Sequence, residues 1–241
     1  MSLLCVLKIV PAGPLTLNHR FKAILFDLDG TLIEFKFPVK ESRQAMIELL
    51  KKRNYDASQW TDQMRTQEII DHACEQWHNS PVLQKDHSFE DTKYSIFRLL
   101  DDFEYRALSE ANPHQDSVPV LRKIKHAEIL SGIVTNSGRA PVESVIKEFG
   151  FEPYISVLVT RNEMEKLKPY PHGLKFAMEK LRVSPDESLY VGDSTIDIEA
   201  ARRAKMKCAS VSTGLYHIDA LRQHSPDFAI SSLMELEPIV L

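Results

Sequence analysis

The chain has 241 residues, 43% of them apolar and 27% charged, the make-up of a soluble globular protein with one large domain or a core carrying an insertion. Lys plus Arg number 30 and Asp plus Glu 34, a formal charge of −4 that argues against a nucleic-acid binder relying on a basic surface. Three widely spaced cysteines, Cys5, Cys74 and Cys208, form no CxxC, which argues against a disulfide framework or a zinc site and for a reducing, cytoplasmic setting.

The chain opens on an apolar run from Leu3 to Val10, broken by Pro11 and Pro14. It is far shorter than the ~20 residues that span a bilayer and lacks the basic start of a signal peptide. Residues 1–20 therefore read as an extension ahead of the first core strand, an edge strand or an upstream start. No later segment suits a membrane, so a soluble protein without a membrane partner is expected.

Ala23-Ile24-Leu25-Phe26 is the first buried-strand candidate. Residues 37–111 then contain no convincing strand but several helical stripes: Ile69, Ala73 and Trp77 on one, and Phe89, Ile96, Leu100, Phe103 and Ala107 on another. Ser88 with Asp91 resembles a capping box opening the latter. This stretch carries 10 Lys plus Arg against 14 Asp plus Glu, leaving 20 and 20 elsewhere, so the whole net charge resides in it.

From about residue 117 the chain alternates strands and helices. Apolar runs fall at Ile129–Val134, Ile155–Val159, Ser188–Val191 and Cys208–Val211, with a short last one at Phe228–Ile230. Pro141 is expected to open a helix with Val142, Val145, Ile146 and Phe149 on one face, closed by Gly150. Pro171 opens another with Leu174, Ala177, Met178 and Leu181; a third follows Asp193-Ser194 through Ile196, Ala200, Ala201 and Ala204. The expected fold class is α/β, a doubly wound parallel (Rossmann-like) sheet with a helical cap inserted after strand 1. Its domains would be residues 21–36 with 112–241 as catalytic core and 37–111 as cap, and the core strands would lie in the order 3-2-1-4-5.

Open α/β sheets bind ligands outside the carboxyl ends of their strands. The first strand is followed there by Asp27-Leu28-Asp29-Gly30-Thr31-Leu32, and the second by Thr135-Asn136-Ser137. Lys168-Pro169 follows the third after a short linker, and Gly192-Asp193-Ser194-Thr195-Ile196-Asp197 follows the fourth. Converging carboxylates would repel one another unless a cation joined them, and hard oxygen ligands suit Mg²⁺. One carboxylate can then act as a covalent nucleophile, an acid two residues along can protonate a leaving oxygen, and Lys168 with the Thr135 hydroxyl can hold phosphoryl oxygens. Ser137 and Ser194 have no His at a telling spacing, which disfavours a serine-hydrolase reading. Trp60 and Trp77 read as core of the insertion.

The four motifs, in this order and context, resemble the haloacid dehalogenase superfamily, in its phosphoglycolate-phosphatase-like branch. The resemblance covers about residues 21–36 and 117–231. It implies that Asp27 is the nucleophile of a phosphatase acting on a small phosphomonoester through an aspartyl phosphate, with Asp29 the general acid and later base. It implies Mg²⁺ held by Asp27, the Asp29 carbonyl and Asp193, with Asp197 completing or orienting that shell. Thr135, the backbone at Asn136 and Lys168 would bind the phosphoryl group, with Gly30 and Thr31 also counted among the substrate-binding residues. Such relatives often carry Gly where this chain has Lys205, ending the helix after the fourth motif. A 2-haloacid dehalogenase would not need Asp29, since halide leaves without a proton. A phosphosugar mutase of the same fold, or a slow-turnover phosphate-binding regulatory module, stays open, as do the substrate and the oligomeric state.

Overall fold

The structure, a computed structural model, describes residues 20–34, 36–108 and 110–241. The expected N-terminal extension, apart from Arg20, lies outside the described residues, as does Cys5. Two compact units are present, one of Lys36–Glu110 and a larger one formed by the described chain before it together with Ala111–Leu241.

The larger unit is built on β1 (Ala23–Phe26), β4 (Leu130–Val134), β5 (Val157–Val159), β6 (Ser188–Gly192), β7 (Lys207–Val211) and β8 (Phe228–Ile230). Between them in sequence lie β2 (Ile33–Glu34) and β3 (Asn112–Pro113), which form a separate antiparallel ribbon. The sheet order is β5-β4-β1-β6-β7-β8, and every neighbouring pair is parallel. Counting the strands of this sheet alone gives 3-2-1-4-5-6, the expected order with a sixth strand added. All four residues of β1 are fully buried, as a central strand covered on both faces requires.

The chain adds strands to one side of β1 up to β5 and to the other from β6 onward. With right-handed crossovers, helices before and after that reversal fall on opposite faces, so the switch point lies at the carboxyl end of β1. The helices of this unit are α5 (Ser117–His126), α6 (Arg139–Glu148), α7 (His172–Leu181), α8 (Thr195–Ala204), α9 (Ile218–Gln223) and α10 (Glu237–Val240). α6 begins two residues before Pro141, and Gly150 past its end takes φ +69°. On α8 the buried stripe runs through Ile198, Ala200, Ala201 and Ala204, while Ile196 is only half-buried.

The smaller unit holds α1 (Val39–Lys52), α2 (Thr66–Asn79), α3 (Pro81–Asp86) and α4 (Phe89–Leu108). Met46, Ile47 and Leu50 of α1 are buried with Ile69, Ile70 and Ala73 of α2 and Ile96 and Leu100 of α4. The Ser88–Asp91 capping box forms, each residue's amide bonding the other's side chain at 3.1 Å. Trp77 is half-buried and donates its indole N–H to the His87 carbonyl.

Lys205 ends α8 in the left-handed region, φ +61° and ψ +25°. That conformation costs a non-glycine residue about 1 kcal/mol. Lys205→Gly is therefore expected to raise the stability of the fold by up to about 1 kcal/mol, measured by urea unfolding, because relief of this strain outweighs the added freedom of the unfolded chain.

Candidate active site

β1 delivers Asp27 at the sheet's carboxyl edge, where its amide bonds the Val191 carbonyl of β6 at 2.8 Å. A tight turn follows: the amides of Thr31, Leu32 and Ile33 all close on the Leu28 carbonyl, and Gly30 takes φ +79° to complete it. Of the two residues expected to bind substrate here, Gly30 donates its amide to the Ile33 carbonyl and Thr31 is fully buried.

The next strand, β6, delivers Asp193. One oxygen each of Asp27, Asp193 and Asp197 lies within 4.8 Å of the others, and all three residues are buried. Asp193 fits between two glycines: a Cβ on Gly30 would sit 2.5 Å from its Oδ2 and one on Gly214 only 1.8 Å. The Leu215 amide donates to the same oxygen at 3.3 Å, and Thr213 Oγ1 donates to the Gly30 carbonyl at 2.7 Å. The loop after β7 thus forms part of the site. The rule that singles out the ends of the first four strands, carried to the end of β7, reaches Thr213-Gly214.

Lys168 supplies the positive charge. Its Nζ lies 2.8 Å from Asp27 Oδ1, 2.7 Å from Asp197 Oδ1 and 2.9 Å from the Tyr190 hydroxyl, which engages all three of its protons. Tyr190 OH is also 3.0 Å from Asp197 Oδ1 and 3.1 Å from the Val134 carbonyl, so it accepts from the lysine and donates to one of these. Asp197 Oδ2 accepts from the Ser194 amide and hydroxyl, so both oxygens of this fully buried carboxylate have two neighbouring donors. Asn136 fixes the Lys168 backbone, its side chain accepting from the Lys168 amide at 2.8 Å and donating to the Lys168 carbonyl at 3.1 Å.

The charges do not balance. Burial raises the pKa of Asp27 well above its ordinary value despite Lys168, and burial with the Asp197 charge pushes Asp193 up to about 7. Burial works against the Lys168 ammonium, yet Asp197 and Asp27 outweigh it and raise its pKa. Three buried carboxyl groups share one ammonium, so the site has negative charge to spare only when more than one of them is ionised.

Asp29, half-buried, turns toward β4. Its Oδ2 accepts from Ser137 Oγ at 2.5 Å and from Thr135 Oγ1 at 3.4 Å. Burial raises its pKa, while the Ser137 hydrogen bond, the Lys168 and Arg161 charges and Thr135 oppose that rise. Buried Arg161, just past β5, donates its amide to the Ser137 carbonyl and Nη1 to the Asn136 carbonyl. The structure thus gathers Asp27, Asp29, Thr135, Asn136, Lys168, Asp193 and Asp197 at one edge. It adds Ser137, Arg161, Tyr190 and Gly214.

The haloacid dehalogenase-like hydrolase family model matches residues 24–211. Pyrophosphatase PpaX of Oceanobacillus iheyensis is 26% identical over 223 residues, covering 91% of this chain and 96% of that protein. Pyrophosphatase PpaX of a Bacillus cereus strain is 28% identical over 221 residues, covering 92% and 97%. Among solved structures, one described as a predicted phosphoglycolate phosphatase from Haemophilus somnus superposes with a TM-score of 0.62 at 21% identity, covering 91% of this chain and 98% of that one. A HAD-superfamily hydrolase of subfamily IA from Geobacter sulfurreducens gives a TM-score of 0.57 at 17% identity, covering 93% and 98%. With the family match spanning most of its length, this chain belongs to the haloacid dehalogenase-like hydrolases.

Proposed function

We propose that this hydrolase is a phosphatase that cleaves a small phosphorylated molecule through an aspartyl phosphate on Asp27. The observation that carries the reading is the pairing of Asp27 with Lys168 Nζ at 2.8 Å inside a cluster of buried carboxylates. The lysine opposes the rise that burial imposes on the Asp27 pKa and offers a positive charge to an incoming phosphoryl group.

A divalent cation fits the donor set. The carboxyl groups of Asp27 and Asp193 lie together and repel each other when both are ionised, and the glycines beside Asp193 clear the space its oxygens occupy. Asp27, the Asp29 carbonyl and Asp193 would hold Mg²⁺, with Asp197 orienting that shell through Lys168. When bound, the ion would offset phosphoryl charge and bring the phosphate near the nucleophile.

The chain's own residues then divide the work. Asp27 attacks phosphorus; the bond to the leaving oxygen breaks, and that oxygen takes the electron pair and a proton from Asp29. Asp29, now a carboxylate, accepts a proton from the water that opens the acyl phosphate and frees inorganic phosphate. Lys168, the Thr135 hydroxyl and the Asn136 backbone hold the equatorial oxygens. Residues 37–111 serve as the cap that selects the leaving group. The PpaX relatives make pyrophosphate a substrate to compare with phosphoglycolate and sugar phosphates. A cytoplasmic setting belongs to this reading, and no helix among the described residues is long and apolar enough to cross a membrane.

Phosphate release from such a panel is expected with Mg²⁺ and lost in chelator; no release from any member would end the reading. The metal should also depend on pH. In the metal-free fold Asp193 keeps its proton up to about 7, above its unfolded value of 3.8. Its burial therefore lowers stability as pH rises between those values, and the cation must displace a proton below 7. Mg²⁺ affinity, read by calorimetry, is expected to weaken by up to about tenfold per pH unit below 7 and to level off above 8. A flat profile would remove Asp193 from the metal site.

A further inference from the structure

The proposed acid–base group, Asp29, is held by one residue to which the reaction has so far assigned no part. Both hydroxyls that reach it, those of Ser137 and Thr135, converge on the same oxygen, Oδ2. Among the described residues no donor reaches Oδ1. Ser137 is itself pinned at three points. Its hydroxyl donates to Asp29 at 2.5 Å, its amide donates to Thr135 Oγ1 at 3.1 Å, and its carbonyl accepts from the Arg161 amide at 3.1 Å. It is 9% exposed, so bulk water does not readily replace it.

A carboxyl with one oxygen held by two O–H donors has two inequivalent oxygens. A proton on Oδ2 would oppose the donors already pointing there, whereas a proton on Oδ1 meets none. We infer that Ser137 is a positioning residue that fixes the plane of the Asp29 carboxyl through Oδ2, so that Oδ1 carries the transferred proton. The Thr135 contact, at 3.4 Å, is too long to do this alone. This inference rests on the phosphatase reading and on Asp29 as its acid and base.

A group that only orients the proton donor matters most where the leaving oxygen needs protonation. Ser137→Ala is expected to lower kcat about tenfold for an alkyl phosphate, a fraction of the 10²–10⁴ attributed to general acid–base catalysis. For an aryl phosphate, whose leaving group departs with little protonation, the loss should be only about twofold, and KM should hold for both substrates. Ser137→Thr, which restores a hydroxyl, should recover most of the alkyl-phosphate rate. In an Asp29→Asn background, Ser137→Ala should add no further loss, because the two act as one unit. If the alanine variant melts several degrees lower, Ser137→Cys, a weak donor of similar volume, replaces it in the comparison.

Equal losses for the two substrates would overturn the inference, as would a further loss of full size in the Asp29→Asn background or a raised KM at unchanged kcat. A wild-type protein that releases phosphate from neither substrate nor any other member of the panel fails at an earlier step: it ends the phosphatase reading, and the role of Ser137 falls with it.

Discussion

Asp27→Asn is expected to abolish phosphate release, leaving no activity above background, while Asp29→Asn loses roughly 10²–10⁴ in turnover. The two acids stand two residues apart but in different surroundings. Asp27 is 7% exposed, with Oδ1 against Lys168 and its neighbours Asp193 and Asp197 close by. An amide there removes the attacking anion and one arm of the proposed metal site together, so no covalent intermediate forms. Asp29 has its side chain on Ser137 and Thr135, away from that cluster. Its amide variant keeps the main-chain carbonyl and is expected to bind Mg²⁺ nearly as the wild type does. What it loses is the proton, and the loss should shrink for an aryl phosphate. Steady-state rates on an alkyl and an aryl substrate, with Mg²⁺ binding measured alongside, separate the two roles. An Asp27→Asn protein more active than Asp29→Asn would reverse the assignment.

The residues behind this prediction are the part of the molecule most legible in the sequence. The sheet strands announce themselves as short apolar runs, and a parallel sheet must bring their carboxyl ends together. Asp27, Thr135 and Asp193 follow directly from that rule. Lys205 was legible as a departure from family habit, and the left-handed backbone there bears it out.

What stayed hidden is equally physical. Tyr190 lies inside the run Ser188-Leu189-Tyr190-Val191 and reads as core, since periodicity says nothing of where a hydroxyl ends. Ser137 reads as a loop residue or a failed nucleophile, because the side chain it bonds lies 108 positions away in the sequence. Arg161 is a charged residue with almost no exposure, an arrangement that composition alone assigns to the surface. The ribbon of β2 and β3 has two residues on each side, too few to show any period. On α8 the buried stripe holds Ile198 where the sequence pattern offers Ile196. Asp197 also points inward there, committed to Lys168 and Tyr190, and an acidic residue breaks the apolar pattern by which such faces are recognised.

Lys168 is where the stability of the fold meets the proposed catalysis, and its removal should be the most costly single change in the site. Lys168→Met keeps much of the side-chain volume but leaves Asp27 Oδ1, Asp197 Oδ1 and the Tyr190 hydroxyl without their shared donor. Breaking a buried ion pair from one side typically costs about 3–5 kcal/mol, because the remaining charge stays buried and unpaired. Protonation limits that cost. Burial already raises the pKa of Asp27 above 3.8, and Lys168 is what restrains the rise. Without the lysine the folded-state value moves further up while the unfolded value stays put. A carboxylate raised in the fold costs stability as pH climbs above its unfolded value. The metal-free variant should therefore lie within about 1–2 kcal/mol of the wild type near pH 4.5 and fall short by the full 3–5 kcal/mol near pH 8. Urea unfolding in chelator at the two pH values measures this directly. Phosphate release should be at background at both, since neither the nucleophile's charge nor the phosphoryl oxygens retain their cationic partner. A pH-independent deficit, or one below about 1 kcal/mol at pH 8, would mean that the ammonium does not hold this cluster together.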